Sequence, residues 1–212
     1  MVADLALQAL MILVTVGFFL AMHNIPQTLL AKFRYRNRPA FQSRRHFVLG
    51  AQLLARARSA PSRSSRVSLA AQAASEADAA IALDPADAAA HILKSLALDL
   101  QGFKPAALES IEAALSPLTK KSLSDFERGD ALFKRAELKI AVGKRARVDS
   151  AIDDLTESIK LCEDGSKGKA FRLLGECYEM KEMTAEAKAA YENALAASPE
   201  MAAAREALER LG

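Results

Sequence analysis

Three histidines, two cysteines and one pair of adjacent aspartates are the residues of this chain best suited to chemistry. His23, His46 and His91 are types that hold metals or shuttle protons. On a helix that work needs a spacing such as His-Glu-x-x-His, and these three stand 23 and 45 residues apart. Cys162 and Cys177 lie in no Cys-x-x-Cys or Cys/His grouping and read as buried, reduced thiols. Asp153 and Asp154 are consecutive, so on a helix they point about 100° apart and share no substrate. The chain contains no P-loop, no Gly-x-Gly-x-x-Gly after a strand and no Gly-x-Ser-x-Gly. No enzyme, metal or cofactor is expected. The residues point to binding.

What, then, are the elements, and what do they hold in place? Half the 212 residues are apolar, yet only 6% are aromatic and none is Trp. Abundant alanine favours helices that approach closely, and no segment alternates as a strand would. An all-α fold is expected.

The clearest local order lies at FRLLGECYEMKEMTAEAKAAYENALAASP, residues 171–199. Phe171, Leu174, Gly175 and Tyr178 fall on one side of a first helix. Ala187, Tyr191 and Ala194 do so on a second, and Pro199 follows. Small residues sit where two backbones would cross, and large ones fill the space beside them. These eight positions resemble a tetratricopeptide repeat (TPR), with Phe171 where that family has Trp. Weaker echoes run upstream. Ala107, Ile111 and Ala114 repeat the second-helix spacing, as do Ala151, Leu155 and Ile159. Ser124 and Glu127 form a capping box, and Gly102 and Gly143 close first helices. Residues 67–85 read as the second helix of a degenerate unit ending in Leu83-Asp84-Pro85. Its partner would lie within 41–58, a segment that equally suits an amphipathic helix on a membrane surface. The final MAAAREALERL reads as a capping helix. The resemblance implies a TPR-like α-solenoid of about four helix pairs plus a C-terminal capping helix.

Ahead of it, Leu5 to Met22 carries no charge and as a helix would reach about 27 Å, close to a bilayer's hydrocarbon thickness. One N-terminal transmembrane helix is expected within residues 1–31. Residues 32–66 hold ten basic side chains and no acidic one, including Lys32, Arg34, Arg36, Arg38, Arg44 and Arg45. This neck, a candidate lipid-facing segment, places the C-terminal bulk in the cytosol by the positive-inside bias. Residues 67–212 keep 19 basic residues (29 less those ten) against 25 acidic ones (26 less Asp4), a net of −6. The expected domains are an anchor at 1–31, a basic neck at 32–66 that could include the first helix of the degenerate repeat, and a helical-repeat domain at 67–212.

Families of this kind hold peptides on the concave face formed by the first helices. That resemblance places Ile92, Leu96, Leu100, Lys169, Arg172, Glu176, Glu179 and Met180 in a candidate partner groove. The partner class is a protein or peptide, with membrane lipids met by anchor and neck; nucleic acid is not expected. Chaperone C-terminal tails are also not expected, because the family's clamp for them needs asparagines on first helices. Here Asn24, Asn37 and Asn193 lie elsewhere. The reading is a membrane-anchored TPR-like scaffold on the cytosolic face of the endoplasmic reticulum or of a mitochondrial or plastid outer membrane. The alternative is a structural or assembly subunit of a larger membrane complex.

Overall fold

The computed structural model describes residues 2–22, 39–162 and 167–212. Among them are ten α-helices and no strand: α1 (Val2–Met22), α2 (Pro39–Ser59), α3 (Arg63–Leu83), α4 (Ala88–Gln101), α5 (Lys104–Ala114), α6 (Asp125–Gly143), α7 (Val148–Leu161), α8 (Lys167–Met180), α9 (Thr184–Ala197) and α10 (Ala202–Leu211). The chain divides into two units, Met1–Gln42 and Ser43–Gly212.

Local chemistry sets the helix ends. Ser62 accepts a hydrogen bond from the Ser65 amide at the start of α3, and Asp87 accepts one from the Ala89 amide at α4. Ser124 and Glu127 form the capping box: Glu127 Oε2 accepts from the Ser124 amide at 2.9 Å, and Ser124 Oγ accepts from the Glu127 amide. Gly102 takes φ +91°, letting its amide and that of Phe103 reach back to the last carbonyls of α4. The longer connection after Gly143 is a 3₁₀ turn, Lys144–Arg147.

In the second unit successive helices pair as α2/α3, α4/α5, α6/α7 and α8/α9, and α10 packs on α9. Each first helix carries two small buried residues seven apart: Ser43 and Gly50, Ala88 and Ser95, Gly129 and Ala136, Gly168 and Gly175. They let the partner backbone close in. The Ser43 hydroxyl donates to Ala80 O, the Ser95 hydroxyl to Ala107 O, and the Ser158 hydroxyl to Gly129 O. Cβ positions built at Gly50 and Gly168 would lie 3.2 Å from Ala73 O and 3.4 Å from Ala194 O. The segment at 41–58 therefore pairs as a first helix along its Ser43–Ala57 stripe, and His46 Nδ1 meets Glu76 Oε2 at 2.7 Å across the pair.

Among the described residues no helix is long and apolar enough to cross a membrane. The described side chains of α1 are Gln8 and Leu10–Phe19. They are exposed all round the helix, Leu10, Ile12, Leu13, Val14 and Phe18 included. Residues 23–31, the rest of the expected anchor, lie outside the described residues, as do Lys32, Arg34, Arg36 and Arg38 of the neck.

Candidate partner groove

The first helices α2, α4, α6 and α8 turn one face each toward a common open cleft. Counted from the inner small residue of each pair (Gly50, Ser95, Ala136, Gly175), the third position before it is Phe47, Ile92, Phe133 or Arg172. The position after it is Ala51, Leu96, Glu137 or Glu176. Helical periodicity keeps these on one face, one turn apart. The cleft between α2, α4 and α6 has a volume of about 720 Å³ and an apolar floor of Phe47, Leu54, Ile92, Leu96 and Phe133. Arg58, Glu127, Asp130, Lys134 and Lys169 stand round it. A smaller cleft of about 360 Å³ adjoins it toward the C-terminus, lined by Asp99, Lys104, Ile140, Arg172 and Glu176.

Most of these charges are neutralised locally. Lys134 Nζ donates to Asp99 Oδ2 at 2.7 Å and to Glu137 Oε2 at 3.0 Å, tying α6 to α4. Lys104 also pairs with Asp99, and Arg172 with Glu176 one turn on. Burial pushes the Asp99 carboxyl up, but the ammonium groups of Lys104 and Lys134 outweigh it and hold Asp99 below its ordinary value. Burial pulls the Lys134 ammonium down, and Asp99 and Glu137 raise it past its usual range. Among the described residues Asp130 has no such close partner. Burial raises its carboxyl and Lys169 offsets that only partly.

The expected groove residues divide. Ile92, Leu96 and Lys169 line the larger cleft, and Arg172 and Glu176 the smaller. Leu100 packs on the core around Leu54 and Leu93, and Met180 on the one around Leu173 and Leu174. Glu179 accepts hydrogen bonds from Tyr191 and from Arg210 of the last helix. These three serve cohesion at the helix ends. Phe47, Phe133, Asp130, Lys134 and Arg58 line the cleft without having been expected there. For Phe47 and Phe133 the signal is the spacing from the inner small residues, visible once Ser95 and Ala136 are aligned with Gly50 and Gly175.

The repeat-signature residues pack as one piece. Ala187, Tyr191 and Ala194 are buried together, and Phe171 and Tyr178 lie against them. Leu174 belongs to the neighbouring cluster. Gly175 lies under the Tyr191 ring, and Pro199 O accepts from Arg205 before α10. The residues fit for chemistry stay apart. His46 is bonded to Glu76, His91 Nε2 lies 3.1 Å from Pro85 O, and His23 is outside the described residues. Both cysteines are buried and free, and no three His, Cys, Asp or Glu side chains among the described residues gather as metal ligands would. Asp154 is buried between Arg135 and Lys139, whereas Asp153 is exposed.

No family model and no curated protein matches the sequence. Solved structures do match in shape. One is the APC/C hetero-tetramer Cut9–Hcn1, with a TM-score of 0.62 and 17% identity over 78% of this chain. This chain spans only 29% of that one. Another is MamA, with a TM-score of 0.54 and 21% identity over 72% of this chain and 80% of MamA. The fold is TPR-like. At these identities the likeness concerns the fold alone, an all-α solenoid of stacked helical pairs.

Proposed function

We propose that the protein is a membrane-anchored TPR-like adaptor that holds a protein or peptide partner in the cleft on the first helices of its repeats. The observation that carries this is the open apolar floor of Phe47, Ile92, Leu96 and Phe133, with Lys134 at its edge already paired to Asp99 and Glu137. Such a site rewards apolar side chains of a partner. Anchoring rests on α1, whose described side chains put Leu10, Met11, Ile12, Leu13, Val14, Phe18 and Phe19 into the surroundings on every side. Apolar surface of that extent on a helix is unfavourable in water and favourable in lipid. The basic neck then faces anionic headgroups, and the C-terminal unit works on the cytosolic side, where the anchor raises its effective concentration for partners at the membrane.

A photo-cross-linking residue at Leu96, in the full-length protein in cells, tests the groove. Discrete adducts are expected from Leu96 and none from Glu192 on the second helix of the last pair; equal labelling at both positions would sink the groove. Deleting residues 1–31 tests the anchor and is expected to move the protein into the soluble fraction. Continued sedimentation with membranes would refute the anchor.

A further inference from the structure

The two ends of the solenoid are finished differently. At the C-terminal end, α10 lays Ala204 and Ala207 on α9 and turns Arg205, Glu206 and Glu209 outward. A polar outer face is what a terminal helix needs in water. At the other end, α2 packs its Ser43, Gly50, Leu54 and Ala57 stripe against α3 and α4 and leaves the opposite face uncovered. That face carries Val48, 50% exposed, and Leu49, 38% exposed, among Arg45, Gln52 and Arg56. It holds no carboxylate, since the sequence has none between Asp4 and Glu76. The ion pairing of α2 among the described residues is confined to His46, on the side facing α3.

We propose that this face of α2 docks on an anionic lipid surface. The inference rests on the anchored reading above and adds which surface of the solenoid meets the membrane. Arginines interleaved with branched aliphatic side chains on one side of a helix suit the headgroup boundary. There the guanidinium groups meet phosphate and carboxylate, and the aliphatic groups enter the acyl edge. A second copy of the same face is a poorer occupant. An isologous pairing would bring Arg45 and Arg56 of both copies together with no carboxylate to offset them. Chain continuity favours lipid too. Sixteen residues, 23–38, join α1 to α2 and reach at most about 55 Å, so an anchored α1 keeps α2 near the bilayer. The two readings of this segment, repeat helix and surface helix, then describe opposite sides of one helix. Phe47 and Arg58 of the groove project from the same helix, so docking holds that edge of the groove within about 10 Å of the headgroups.

The test uses the full chain reconstituted in phosphatidylcholine vesicles with or without phosphatidylserine. An environment-sensitive fluorophore is placed on Gln52→Cys, or on Glu206→Cys at the capped end as control, and quenched by headgroup-level nitroxide lipid. The proposal expects quenching at 52 to be several-fold stronger in the anionic vesicles than in neutral ones, with none at 206. It expects Arg45→Glu with Arg56→Glu to abolish the quenching at 52 while the chain still floats with the vesicles. Quenching at 52 that ignores both phosphatidylserine and the double variant would overturn the lipid-charge argument. Absent quenching in a chain that floats, with or without cross-linked dimers through position 52, would remove this proposal and leave the anchor standing. A chain that floats with neither vesicle would remove the anchor and the docking together.

Discussion

A Cβ placed on Gly175 would fall 2.6 Å from Cε1 of Tyr191, whose ring is 1% exposed beneath the backbone of α8. In an open helix, replacing glycine with alanine stabilises by about 0.5–1 kcal/mol. Here the methyl group and a ring fixed between two helices cannot both fit. Gly175→Ala is expected to lower stability by about 1–3 kcal/mol, an overpacking cost. Gly102→Ala is expected to lose about 1–2 kcal/mol for another reason: nothing stands within 4 Å, but φ is +91°. Urea unfolding midpoints of the two variants check both, and a neutral Gly175→Ala would mean that the helices can separate at no cost.

Asp154, 4% exposed, is bound by two cations from α6: Arg135, which donates Nε to Oδ2 at 2.9 Å, and Lys139, with Nζ 2.7 Å from Oδ2. Asp154→Ala leaves both cations without their partner in a half-dry site, so a loss of about 3–5 kcal/mol is expected. Asp153→Ala, one residue away and exposed, should change stability by no more than about 0.5 kcal/mol. Similar unfolding midpoints for the two variants would contradict this account of the α6/α7 interface.

The last helical pair was open to reading in the sequence because Gly175 and Ala187 are small, and Phe171, Tyr178 and Tyr191 aromatic, at the spacing two crossing helices need. Two units back the same site is Ser95, whose hydroxyl caps its own polarity on Ala107 O, and nothing in a lone serine marks a helix crossing. The α2/α3 pair hid for a different reason. Each helix runs 21 residues, and a polar turn separates Gly50 from its Ala73 partner by more than the usual repeat spacing. Groove residues followed the same limit. The resemblance placed Ile92 and Leu96, which line the larger cleft, but Phe47 and Phe133 needed the register that Gly50 and Ala136 supply. The resemblance puts Glu179 and Met180 in the groove as well, whereas Glu179 bonds Arg210 of α10 and Met180 packs on the core.

Asp99 and Asp130 sit on the same groove and should respond to pH with opposite sign. The folded pKa of Asp99 lies below its unfolded value, so its contribution is present above roughly pH 4 and is lost as pH falls through the folded pKa. Asp130 has a raised folded pKa, so its contribution is present below the unfolded value and is lost as pH rises through the folded one. Asp99→Asn should therefore destabilise at pH 7 and converge on the wild type in acid. Asp130→Asn should stabilise at pH 7 and converge likewise. Unfolding midpoints between pH 7 and pH 3 decide the matter, and a shared sign would refute it.

Cys177 is fully buried, and burial, helped by the neighbouring Glu176 charge, pushes its thiol up to about 12. A thiol that far from its thiolate is a poor nucleophile at neutral pH. The native protein is expected to leave Cys177 unalkylated by iodoacetamide at pH 8 and to react fully there once unfolded in urea. Mass spectrometry of the alkylated peptide reads the result; rapid native labelling would show that the α8/α9 pair opens freely.

Binding in the groove can be separated from folding by filling it. Ala89 is a half-buried residue on the first turn of α4 that lines the larger cleft beside Ile92. Its amide, not its side chain, carries the cap to Asp87. An arginine there projects into the open volume while the helix and its cap remain. Ala71 on α3 is exposed and outside the cleft, so Ala71→Arg supplies the same charge elsewhere. Both variants are expected to unfold within about 0.5 kcal/mol of the wild type. Only Ala89→Arg should abolish the adducts captured from Leu96. Adducts that persist in Ala89→Arg would mean the partner bypasses this floor, since the arginine and a seated apolar side chain compete for one space beside Ile92.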